Sequence, residues 1–244
     1  MKKVLITGAN RSIGFETARQ MLQKGYYVYL GSRTLENGLE AVEKLKAEGL
    51  NEVEAIQIDV SDQASVTAAR AEIGKRTEVL DVLVNNAGIS GGMPQTTNTD
   101  IAVFKQVYDT SLFGVVRAVQ AFVDLLQKSA QPRIVNVTSG LGSLTMQSDP
   151  TWKYYNVKGA VYSSSKAALN MYTIALAYEL RDTPFKVNAV DPGYTATDFN
   201  QHRGTGTIED AAARLVKYAT IGTDGPTGRF FSDDNNPKTG ESPW

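Results

Sequence analysis

No cysteine occurs in the 244 residues, and there is a single histidine. The first absence excludes disulfides, thiolate nucleophiles and Cys-ligated metals. The second excludes a zinc site built from histidines, and any Ser-His-Asp triad would rest wholly on His202, in a stretch rich in Gly and Thr. The G-x-S-x-G elbow of many hydrolases is missing as well. Excess charge of one sign is also lacking: 25 Lys and Arg against 26 Asp and Glu leave a formal net charge of -1. Such a chain has no field to hold nucleic acid or an anionic membrane non-specifically. No apolar run approaches the roughly 20 residues of a membrane-spanning helix. The run after Lys3 is also too short for a signal peptide. The expectation is a soluble, cytoplasmic protein that uses no metal.

What is present is a regular alternation. Val4–Thr7, Tyr27–Gly31, Val53–Ile58, Leu80–Val84, Arg133–Thr138 and Lys186–Asp191 read as buried strands. A further short strand is expected within Gly228–Ser232, in a turn-rich tail. Helical patterns run near 13–24, 34–48, 62–75, 100–128 and 160–181, and another starts at Ile208. Strand–helix alternation implies a doubly wound parallel sheet with helices on both faces, a Rossmann-type α/β fold. No linker or repeat divides residues 1–244, so one domain is expected. Ligands of such sheets bind off the carboxyl ends of the strands, and chemistry is to be sought there.

The first strand ends in T-G-A-N-R-S-I-G, Thr7 to Gly14, with a helix directly after it. Gly8 allows a tight turn, and Gly14 lets the helix pack closely on the strand. The helix N-terminus then offers free N–H groups and a positive dipole end to a pyrophosphate. A glycine-rich turn alone is common; its place after the first strand makes it a dinucleotide site. The acid that usually binds the adenosine ribose about 20 residues on is absent. Ser32 stands there, followed by Arg33, and Arg11 lies in the turn. Two guanidiniums suit a 2′-phosphate, which favours NADP(H) over NAD(H).

Tyr162 and Lys166 stand four residues apart in the pattern Y-S-S-S-K. On a helix they share a face, and an ammonium near a phenol draws its pKa down from about 10. The spacing alone is equally what any long helix carries by chance.

Together these segments resemble the classical short-chain dehydrogenases/reductases over nearly the whole chain. The resemblance implies cofactor contacts from Gly8, Asn10, Arg11, Ser12, Ile13 and Gly14 in the turn. It adds Arg33, the Asp59-Val60 pair after the third strand, and Asn86, Ala87 and Gly88 of the N-N-A-G segment after the fourth. Tyr162, Lys166, Pro192, Gly193, Thr195 and Thr197 complete the cofactor set. It implies catalytic roles for Ser139, Tyr162 and Lys166, with Ser139 binding a carbonyl oxygen and Tyr162 delivering its proton. The expected activity is carbonyl reduction, reversible to alcohol oxidation.

Two positions depart from the family pattern. Ser12 stands where a second Gly is usual, and Ser111 where an Asn often supports a water relay to the Lys. These departures leave room for a non-catalytic protein that binds NADP. The segment 139–162 is longer than in many members, which narrows the resemblance to the carbonyl-reductase-like branch and leans toward a monomer. Its Trp152, Tyr154 and Tyr155, with Tyr194 of the short substrate loop 193–207, are the expected substrate contacts. That loop can cover the site only modestly, which suits varied small-molecule carbonyl substrates.

Overall fold

The computed structural model describes residues 1–244. Its seven strands are β1 (Lys3–Ile6), β2 (Tyr27–Ser32), β3 (Val53–Gln57), β4 (Val82–Asn85), β5 (Arg133–Val137), β6 (Lys186–Val190) and β7 (Phe230–Phe231). All neighbours are parallel, in the order β3-β2-β1-β4-β5-β6-β7. The helices are α1 (Ser12–Gln23), α2 (Leu35–Ala47), α3 (Gln63–Gly74), α4 (Ile101–Tyr108), α5 (Gly114–Leu126), α6 (Leu144–Ser148), α7 (Ala160–Glu179) and α8 (Ile208–Ala219).

Successive strand residues point to opposite faces, so each strand feeds two cores. The register aligns Tyr29, Leu5, Leu83, Ile134 and Val187 in one row across five strands. This row packs against Val66 and Ile73 of α3, Phe122 and Leu125 of α5, and Leu169 of α7. Val4, Ile6, Val28, Leu30, Val82 and Val84 face the other way, onto Met21 of α1, Leu45 of α2 and Leu215 of α8. Burial on both faces explains why the strands read as unbroken apolar runs.

The strand order reverses between β1 and β4, and the crevice at that point is the expected ligand site. The helix predicted over 100–128 is divided. α4 passes through a π-helical turn, Asp109–Phe113, into α5. Gly114 sits so close to β3's end that a Cβ there would lie 2.7 Å from Val60 Cγ2. Arg117 reaches back to the Val60 and Asp109 carbonyls at 3.1 and 3.3 Å and to the Asp109 carboxylate at 2.7 Å. Such a bulge changes the phase of the helix, and Ser111 comes out fully buried.

Candidate active site

The site begins where β1 and β4 end side by side. The Thr7 hydroxyl accepts from the Asn86 and Ala87 amides at 3.0 and 3.1 Å. The Asn86 side chain donates to the Thr7 and Gly8 carbonyls at 2.9 and 3.0 Å. These bonds fix the glycine-rich turn onto the N-N-A-G segment. α1 then opens at Ser12 with Arg11 before it, no capping side chain and no acid in its first turn. Its leading N–H groups and dipole end therefore face outward for an anion. A Cβ on Gly14 would lie 2.5 Å from both Asn86 Nδ2 and Gly8 O, so a side chain there would push the turn apart. The cradle fits a dinucleotide pyrophosphate. Ser12 adopts φ 54°, a left-handed conformation that favours glycine, which accounts for the residue usual at that place.

Asn10 and Ile13 border the turn half-exposed, and Arg33 is exposed just beyond β2. Asp59 folds over its own loop, its Oδ1 accepting from the Ser61 amide and hydroxyl at 2.9 and 2.6 Å. Arg11 does not stand free. Its guanidinium pairs with Asp198 at 3.4 Å, across 187 residues, and its side chain is 72% exposed. His202 Nε2 lies 2.9 Å from the other Asp198 oxygen. An exposed pair of this kind is worth about 0–1 kcal/mol, so it can yield readily to a phosphate.

The catalytic candidates converge. Ser139 follows β5, and its hydroxyl accepts from the Leu141 amide at 3.2 Å. Gly142, three residues on, abuts α7, where a Cβ would lie 2.9 Å from Lys166 backbone carbon. Buried polar contacts bind this turn to the helix. The Thr138 hydroxyl donates to Asn170 Oδ1 at 2.7 Å, and the Asn170 amide to the Gly142 carbonyl at 3.3 Å. Below them Asn136 donates to the Thr173 hydroxyl at 2.9 Å. Asn136 and Asn170 set the helix against the strand, and their burial gave no signal in the sequence.

Lys166 is buried, its ammonium donating to the Val137 carbonyl at 2.8 Å and lying 5.7 Å from the centre of the Tyr162 ring. Burial presses its pKa from the ordinary 10.5 to about 8, against the pull of the Asp191 carboxylate. Burial of its hydroxyl end and then Asp191 push Tyr162 above the phenol range, while the Ser139 hydroxyl draws it down. Lys166 stands beside the Tyr162 ring without a hydrogen bond to its hydroxyl. Its ammonium is directed at a backbone carbonyl, and desolvation dominates both groups. Ser111 Oγ is buried without a partner. A Cβ on Gly88 would lie 3.6 Å from that oxygen and 3.7 Å from Lys166 Nζ, so both groups face the same spot.

The aromatic expectations divide. Trp152 is buried, edge-on to Tyr154 at 5.4 Å, and so braces its neighbour from within the loop. Tyr154 meets Tyr194 at 6.2 Å and donates to Asp234 at 3.3 Å, with its pKa pushed up to about 12 by burial and that acid. Tyr155 lies beneath the Lys158 ammonium, 4.0 Å away, apart from this cluster. Phe199, which carried no sequence signal, stands 5.5 Å from the Tyr162 ring. Thr195 and Thr197 are buried in the loop 193–207. The Thr195 hydroxyl is turned to the Pro192 and Gly193 carbonyls at 3.3 and 3.2 Å. Asn200 staples the loop, donating to the Thr195 carbonyl at 2.8 Å and accepting from the Thr197 amide at 3.2 Å. No three His, Asp or Glu side chains gather to hold a metal, and no helix is long and apolar enough to cross a membrane.

Residues 2–207 match the family model described as short chain dehydrogenase. The chain is 32% identical to a (+)-neomenthol dehydrogenase of Capsicum annuum, over 93% of this chain and 94% of that one. The solved structure of salutaridine reductase from Papaver somniferum superposes with a TM-score of 0.84 at 30% identity, covering 96% of this chain and 100% of that one. An NADPH-bound carbonyl reductase from chicken fatty liver gives 0.82 at 26% identity, covering 95% and 96%.

Proposed function

The chain belongs to the short-chain dehydrogenase family, and from that premise we propose that it is an NADPH-dependent carbonyl reductase acting on small-molecule ketones and aldehydes. One observation carries the reading: Ser139, Tyr162 and Lys166 meet at the carboxyl end of β5, beside the crevice where β1 and β4 end. A bound nicotinamide dinucleotide supplies the hydride. The Gly8–Gly14 turn and the α1 N-terminus hold its pyrophosphate, and Asn86 keeps that turn in shape. Arg33 and Arg11 receive the 2′-phosphate, Arg11 leaving Asp198 to do so. Pro192 and Gly193, with the buried Thr195 and Thr197, would present backbone to the nicotinamide end of the cofactor.

Ser139 donates its hydroxyl hydrogen to the substrate carbonyl oxygen, where negative charge develops. Tyr162, protonated because burial raises its pKa, gives that oxygen its proton. Lys166 holds the nicotinamide ribose and returns a proton to the Tyr162 oxygen. Ser111, beside Lys166, passes protons inward through a water. Tyr154, Tyr194 and Phe199 form the aromatic rim against which the substrate's apolar body rests.

Oxidation of NADPH and of NADH with a panel of activated ketones and aldehydes tests the reading. NADPH is the expected donor, and Arg33→Asp shifts the preference toward NADH. Absence of turnover with every carbonyl would leave a protein that binds NADP without catalysis, and preference for NADH would sink the role of Arg33. In the same assay Ser111→Asn is expected to raise turnover, because an amide carbonyl reaches further than a hydroxyl. An unchanged or lower rate would remove Ser111 from the proton path.

A further inference from the structure

Asp191 is buried, yet the proton path just described does not use it. It follows β6, and its carboxylate joins segments remote in sequence. Oδ1 accepts from the Gly193 amide at 3.0 Å, and Oδ2 from the Ser232 hydroxyl at 2.6 Å. Gly140 packs against the same carboxylate: a Cβ on it would lie 3.0 Å from Oδ2. Gly140 directly follows Ser139, and Gly193 directly follows Pro192. The Ser232 hydroxyl accepts in turn from the Asn235 amide at 3.3 Å, and Asn235 lies against Gly140.

The same tail segment secures the other side of the site. Asp234 accepts from the Tyr194 amide at 3.2 Å and the Tyr154 hydroxyl at 3.3 Å. No cation pairs directly with Asp191. Its two oxygens are satisfied by N–H and O–H donors, which is how a buried carboxylate remains tolerable. The carboxylate thus touches two turns at adjacent strand ends, just beyond the last bond between those strands, the Thr138 amide to the Val190 carbonyl at 2.9 Å.

We propose that Asp191 is a positioning residue that locks the Ser139–Gly140 turn and the Pro192–Gly193 turn into one frame. The carbonyl-binding hydroxyl and the backbone facing the nicotinamide thereby keep a fixed spacing. This rests on the reductase reading given above.

The test measures kcat, the KM of a ketone, the NADPH dissociation constant by fluorescence titration, and Tm, for the full chain and its Asp191→Ala, Asp191→Asn and Ser232→Ala variants. Asp191→Ala is expected to lose about 100-fold in kcat, the scale of a displacement near 1 Å at a reacting centre. Its NADPH affinity stays within about 3-fold, because the phosphates are held at the remote glycine-rich turn. Asp191→Asn keeps the shape and one accepting oxygen and recovers part of the rate. A folded Asp191→Ala with lower Tm but wild-type kcat would make the residue a stability element and overturn the proposal. Should that variant fail to fold, Asp191→Asn and Ser232→Ala decide: lowered kcat at unchanged NADPH affinity supports the frame, and wild-type kcat in both overturns it. A wild-type protein inactive on every carbonyl overturns the reductase reading and this proposal with it, whereas an active wild type with unaffected variants overturns only the latter.

Discussion

Tyr162→Phe is expected to lower turnover by about 10²–10⁴-fold, the usual worth of a positioned general acid. The substitution removes one oxygen and keeps the ring. The contact with Phe199 at 5.5 Å survives, as do the helix and the Lys166 bond to Val137. The variant should therefore fold, and NADPH titration should give an affinity close to that of the parent. Because burial raises the phenol, the parent carries its proton throughout the neutral range, ready for donation to a developing alkoxide. Single-turnover mixing of variant, NADPH and ketone reads the chemical step directly. A residual rate above about one tenth of the parent would show that water or Ser139 delivers the proton instead.

The ingredients of that prediction differ in how visible they were beforehand. The order of strands and helices follows from local pattern, since a strand buried on both faces can only be an apolar run. Thr7–Gly14, Asn86–Gly88 and Ser139 were legible because each must follow a strand to reach the carboxyl edge of the sheet. Phe199 was not legible. It lies in a short loop with no periodicity, and only tertiary folding sets it beside Tyr162. The same holds for the Arg11–Asp198 pair, whose partners are 187 residues apart.

The π-helical turn at Asp109–Phe113 was hidden for a different reason. One extra residue in a turn leaves the composition of a helix unchanged, so 100–128 read as continuous. It sits where Gly114 closely approaches Val60, a contact between elements that local pattern does not carry. Trp152 was open to two readings from the sequence. An amphipathic ring suits a pocket wall and a loop interior alike, and the loop buried it. The balance at Tyr162 and Lys166 was hidden too, because the sequence gives a spacing of charges and says nothing of desolvation, the largest influence on both groups.

That desolvation makes Lys166 a residue the fold tolerates at a cost, and Lys166→Met should separate cost from use. The fall in pKa from 10.5 to about 8 corresponds to about 3 kcal/mol against the buried ammonium. Met keeps the apolar stem and lies well in such a site. It also leaves the Val137 carbonyl without the Lys166 bond, which takes back about 1–3 kcal/mol. The variant is thus expected to be as stable as the parent near neutral pH, or more so by up to about 2 kcal/mol. Its turnover should nonetheless fall at least as far as that of Tyr162→Phe. The pH dependence has a definite sign. Because the folded pKa lies below the unfolded one, the unfolded parent binds more protons between about 8 and 10.5. The parent therefore recovers stability through that window, its penalty being complete below it. Groups remote from Lys166 titrate alike in both proteins, so their contributions cancel in the Tm difference. Variant minus parent should be most positive near pH 7 and should shift in the parent's favour toward about pH 9.5. A difference that stays flat across that window would mean that the lysine keeps an ordinary pKa, and that its ammonium is neither desolvated nor poised to exchange a proton with Tyr162.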